Sequence, residues 1–103
     1  MAKATLMDRT YRGIWRGVDV ESTAADGLTI SVHDLGEGAT MNGDEYECWY
    51  KVSPDGMPAF CELVGIRQRT AAADLAKKYS GVKFNKLVEL IEDAPMVRFS
   101  SYF

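Results

Sequence analysis

The chain has 103 residues, 47% of them apolar and 26% charged, with a net charge of −3. That length holds one hydrophobic core, so residues 1–103 are expected to form a single domain. The composition excludes global disorder, and no apolar run approaches the length of a bilayer span. The opening apolar residues are interrupted at once by Asp8 and Arg9, so no secretory segment is expected and the default location is cytoplasmic. Two cysteines, Cys48 and Cys61, and a single histidine, His33, are too few for a disulfide framework or a structural zinc site.

Residues 11–21 read as a first strand, broken or bulged at Gly13 and Gly17. Residues 28–32 alternate, with Leu28, Ile30 and Val32 on one side and Thr29, Ser31 and His33 on the other. Residues 34–43 hold three glycines and read as a loop. They lack the Gly-Lys-Ser/Thr ending of a phosphate loop, and Asp34, Glu37, Asp44 and Glu45 lack calcium-loop spacing.

Residues 44–52 alternate more clearly. Tyr46, Cys48, Tyr50 and Val52 point one way, and Glu45, Glu47, Trp49 and Lys51 the other. Ser53-Pro54-Asp55-Gly56 suits a type I turn with a glycine bulge. On that reading residues 58–66 form the return strand of a hairpin. The register places Tyr50 across from Phe60 and Tyr46 across from Val64, with Glu62 as a misfit on the apolar face. Cys48 and Cys61 then lie on opposite faces and do not pair; a slip by one residue would set them opposite each other.

Two helices follow. Thr70 is a suitable N-cap, Ala72, Leu75, Ala76 and Tyr79 recur at helical spacing, and Ser80-Gly81 ends the helix. Phe84, Leu87, Val88 and Ile91 mark the second helix, which Pro95 stops. Residues 96–103 close the chain as a strand, with Val97 and Phe99 inward. The expected fold is α+β: a mostly antiparallel sheet of four to five strands with a helical hairpin on one face, in the order β-β-β-β-α-α-β.

Charge is uneven along the chain. Up to Arg16, four basic residues stand against Asp8; residues 17–66 carry ten acids against Lys51; from Arg67 onward seven basic residues face four acids. An acidic surface of this kind steers a basic partner and sharpens specificity. Its alternative is internal neutralisation by the basic ends, which stabilises little.

Residues 70–91 share residue types with a helix-turn-helix. Lys77, Lys78, Lys83 and Lys86 are placed to meet phosphates. Ser80 adds a residue to the turn, and Phe84 and Asn85 stand where base-reading side chains belong. Arg9, Tyr11, Arg12, Trp15 and Arg16 interleave cations with aromatics, as single-strand binders do, although the net charge is acidic. His33 and Asp34 beside a cysteine make a weak nucleophile set, since nothing local activates either thiol.

No catalytic residue, metal or cofactor is therefore expected. The sequence favours a non-catalytic binding or regulatory protein that meets a basic protein partner through Glu37, Asp44, Glu45, Glu47 and Trp49. By analogy of type alone, phage and mobile-element inhibitors, anti-CRISPR proteins among them, have this character. The alternative is a small DNA-binding transcriptional regulator using residues 70–91. Nothing suggests a membrane partner, and homodimerisation would add stability to so small a core.

Overall fold

In the computed structural model, which describes residues 2–36 and 45–102, five strands form one antiparallel sheet in the order β1-β2-β3-β4-β5. They are β1 (Ala2–Tyr11), β2 (Ile14–Thr23), β3 (Gly27–Leu35), β4 (Glu45–Val52) and β5 (Val97–Tyr102). Three helices, α1 (Met57–Val64), α2 (Ala71–Tyr79) and α3 (Phe84–Ile91), lie between β4 and β5 in the chain. β5 returns beside β4, pairing Val52 with Val97 and Glu47 with Tyr102. Every buried strand side chain comes from the sheet face that the helices cover. The fold is α+β, as the sequence indicates, but two elements differ from the expectation.

The first difference is β1, an edge strand absent from the sequence reading. Its alternation is hidden by a bulge between Thr5 and Met7, which brings Leu6 into the core out of phase with the residues after it. β1 joins β2 through Arg12 and Gly13, whose φ angles of 52° and 81° are both left-handed. Two such residues make the type I′ turn that matches strand twist. The irregularity expected at Gly13 is thus a hairpin turn, and Gly17 sits in unbroken register within β2.

The second difference is residues 57–64, expected as part of a strand and found as helix α1. Met57, Phe60, Cys61 and Val64 are buried at i, i+3, i+4 and i+7, a helical stripe. The short 3₁₀ turn Pro54–Gly56 leads the chain off β4 instead of folding it back as a hairpin. Glu62, the misfit of the strand reading, lies exposed on the outside of α1. Gly65, left-handed at φ 73°, ends the helix. Cys48 and Cys61 are free and buried, one on β4 and one on α1, so no hairpin register relates them.

α2 and α3 stand where periodicity places them. Leu75 and Leu87 are fully buried, and Phe84 and Ile91 nearly so. Thr70 holds the N-cap position of α2 without a side-chain cap; its hydroxyl donates to Asp74 Oδ1 at 3.0 Å. Asp74 also accepts from the Arg67 backbone N–H at 3.0 Å and from the Arg67 guanidinium at 3.1 Å. Those donors, the guanidinium first, hold the Asp74 carboxyl well below the usual carboxylate range. At the other end of α2, Lys78 Nζ and Tyr79 Oη donate to the Val64 carbonyl at 3.1 and 2.6 Å, closing the C-terminus of α1.

β5 is mostly exposed. Val97 packs against the core, but Phe99 is half exposed although it turns to the helix side and meets Tyr50 at 5.1 Å between ring centroids. Among the described residues no helix is long and apolar enough to cross a membrane.

Candidate docking face

The strand side chains that turn away from the helices form an open face, and the register fixes its layout. From the Arg12–Gly13 turn downward, Trp15, Leu35 and Glu45 share a row. Asp8, Gly17, His33, Glu47 and Tyr102 form the next. Thr5, Asp19, Ser31, Trp49 and Ser100 follow, then Lys3, Glu21, Thr29, Lys51 and Arg98. Acidic groups and aromatics therefore gather at the end near the turn, and the basic residues Lys3, Lys51 and Arg98 at the other. Alternation puts these side chains on one face, and the register of the four strand pairs lines them up into the two ends.

Side-chain contacts tie the upper rows together. The Trp15 indole Nε1 donates to Asp8 Oδ1 at 2.7 Å. The same ring leans over Gly17, where an added Cβ would lie 2.5 Å from the indole. It meets the His33 ring in a T-shaped arrangement, with centroids 5.9 Å apart and planes at 75°. On the other side, His33 Nε2 lies 3.0 Å from Glu45 Oε1 and 3.4 Å from Glu47 Oε1. One row lower, Thr5 Oγ1 donates to Asp19 Oδ1 at 2.8 Å. Lys3 and Glu21 pair at 3.9 Å, an exposed contact of small energetic weight.

Of the acidic set expected from sequence, Glu45, Glu47 and Trp49 stand together on this face, all from β4. Glu37 and Asp44 lie outside the described residues. The sequence reading missed Asp8, Trp15, Asp19 and Tyr102 as their neighbours. The alternation of Trp15, Gly17, Asp19 and Glu21 within β2 is the sequence signal for four of the face's positions, obscured because Gly13 and Gly17 read as breaks.

The cation–aromatic segment at the N-terminus is divided between the two faces. Trp15 joins the open face, while Arg9, Tyr11 and Arg16 line a 610 Å³ cavity on the helix side with Val82 and Asn85. There Arg16 grips Asp34 bidentately, Nε to Oδ1 at 2.7 Å and Nη2 to Oδ2 at 2.8 Å. Asp34, expected in a loop, belongs to β3 and is the one buried charged residue among the described residues. This bond raises the Arg16 pKa further.

Asp34 and Glu45 consequently face opposite sides of the sheet and do not gather around one cation. His33 is likewise separated from Cys48, which faces the core. Burial pushes the thiols of Cys48 and Cys61 up, opposite to the activation a nucleophile needs.

Lys77, Lys78, Lys83 and Lys86 are all exposed. Of these, Lys78 donates to the carbonyls of Val64 and Gly65. A phosphate would compete with both.

Comparison with known proteins adds no relative: no protein family, curated protein or solved structure matches this chain.

Proposed function

We propose that the chain is a non-catalytic binding protein that docks the open face of its sheet against a basic macromolecular partner. One observation carries the reading. Glu45, Glu47 and Trp49 stand in a single column of β4 on a face that no helix among the described residues covers, with Asp8, Trp15, Asp19 and Tyr102 around them. Aromatic side chains serve as anchors in such interfaces, and the surrounding carboxylates steer approach and register. An inhibitor that occupies the nucleic-acid-binding surface of an enzyme is the form of this reading that an acidic face suits. The proposal includes a cytoplasmic site of action, where free buried thiols suit a reducing compartment.

The test is capture with the immobilised chain and with a Glu45→Lys, Glu47→Lys variant, checked by unfolding to be equally stable. Proteins retained by the native chain should be basic and should be lost from the variant. The same proteins retained by both would remove this face as the docking surface.

A DNA-binding regulator is the second reading. It has one observation in its favour: Arg9 and Tyr11 of β1 line one cavity with Val82, just before α3, and Asn85, in the first turn of α3. Fluorescence anisotropy with double- and single-stranded oligonucleotides at low and moderate salt decides it. Binding that weakens steeply with salt supports the regulator, and no binding at low salt removes it.

A further inference from the structure

We propose that His33, Glu45 and Glu47 form a binding site for a divalent first-row transition ion, zinc being the best match. The donor atoms of these three side chains all lie within 4.8 Å of one another, the only such group found among the described residues. The two separations between His33 and the carboxylates are those that a shared ion requires. Zinc binds imidazole nitrogen and carboxylate oxygen at about 2.1 Å, so two donors about 90–110° apart on one ion are themselves about 3.0–3.4 Å apart. His33 Nε2 lies 3.0 Å from Glu45 Oε1 and 3.4 Å from Glu47 Oε1.

The arrangement is held by the sheet and not by a loop. His33 and Glu47 are direct cross-strand partners on β3 and β4, and Glu45 is two residues from Glu47, on the same face. On the opposite side Gly17 contributes no side chain, and the Trp15 indole leans across it against the His33 ring. Trp15 is itself held by Asp8. That contact limits the rotation of the imidazole and leaves Nε2 directed at the two carboxylates.

Donor chemistry sets the class of ion. One imidazole and two carboxylates suit zinc, cobalt, nickel or iron, whereas calcium and magnesium prefer all-oxygen shells. Three protein donors on an open face leave the remaining positions to water or to a side chain of a docked protein. This site does not depend on the docking reading: it concerns what the chain binds alone.

Zinc chloride titrated calorimetrically into the whole chain tests the proposal, beside Glu47→Gln, His33→Gln and Asp19→Asn variants. Saturable one-to-one binding is expected, insensitive to excess magnesium. Losing an outer hydrogen-bond partner of a metal ligand typically costs about 10–100-fold in affinity, so losing His33 or Glu47 as a ligand should cost at least about tenfold. Asp19→Asn, an acid of the same face outside the cluster, should bind as the native chain does.

A second readout uses the Trp15 ring, 5.9 Å from His33. In a Trp49→Phe variant, Trp15 is the remaining tryptophan, and nickel or copper at the site should quench it. Absence of saturation, native-like binding in both ligand variants, or an equal loss in Asp19→Asn would overturn the proposal.

Discussion

The indole of Trp15 occupies the space that a side chain at Gly17 would need. An added Cβ there would fall 2.5 Å from the ring, well inside van der Waals contact. Glycine within a strand ordinarily weakens it, and here it admits a large aromatic across the sheet surface. The ring in turn bridges Asp8 on β1 and His33 on β3. The organisation of the acidic end of the face therefore depends on an absent side chain.

Gly17→Ala should therefore destabilise the fold by about 1–3 kcal/mol, the usual cost of overpacking, although alanine is otherwise the better strand residue. Urea unfolding followed by tryptophan fluorescence checks it. A stability equal to or above that of the native chain would show that Trp15 moves aside at no cost.

Helix α1 makes a paired prediction. Phe60 is fully buried, so Phe60→Ala should cost about 3–5 kcal/mol. Glu62 is exposed on the outer side of the helix, so Glu62→Ala should change stability by less than about 0.5 kcal/mol. In the hairpin register Glu62 would face the core, and its replacement by alanine would be stabilising. The two unfolding midpoints, measured under the same conditions, discriminate between these arrangements.

Arg16 and Asp34 form a charge-assisted bidentate pair with the carboxylate buried and the guanidinium partly open to water. Arg16→Leu strands that carboxylate and should cost about 1–3 kcal/mol. Replacing both partners, Arg16→Leu with Asp34→Leu, should recover part of the loss, because no buried charge is then left unpaired. A double-mutant cycle in denaturant measures the difference.

Asp74 predicts the direction of an acid response. Its folded carboxyl is depressed by Arg67 and Thr70, so it contributes stability that is fully present above the unfolded carboxylate range. That contribution is lost as pH falls from about 4 toward the lower folded value. Asp74→Asn should be less stable than the native chain at neutral pH, and the gap should narrow below about pH 4. Melting temperatures of both proteins across pH 7 to pH 2 test this; a gap independent of pH would assign the loss to hydrogen-bond geometry alone.

How much was legible varies with how local the determinant is. Leu28, Ile30 and Val32 alternate, as do Tyr46, Cys48, Tyr50 and Val52, and these strands were readable because each residue's face follows from its immediate neighbours. α2 and α3 were readable for the same reason, at helical period. Residues 57–64 were not, since Phe60 and Val64 satisfy either period over so short a run. The helical reading prevails because Met57 and Cys61 complete a stripe that the core can bury. β1 is not legible because its bulge shifts the phase at Leu6, and because most of its side chains are exposed as an edge strand's are.

By itself, then, the sequence determined the α+β class, the polar and apolar sides of β3 and β4, and the placement of Glu45, Glu47 and Trp49 on one side. Those properties rest on alternation, sterics and composition, which act over a few residues. Only the tertiary structure decided that His33 faces Glu47, that Trp15 reaches across Gly17 to His33, and that Arg16 takes Asp34 on the opposite side. Each of these pairs joins residues on different strands, and their meeting depends on register. Register follows from the short connection at 24–26 that pairs Thr23 with Gly27, together with burial of the apolar face against the helices, and the alternation within any single strand encodes neither.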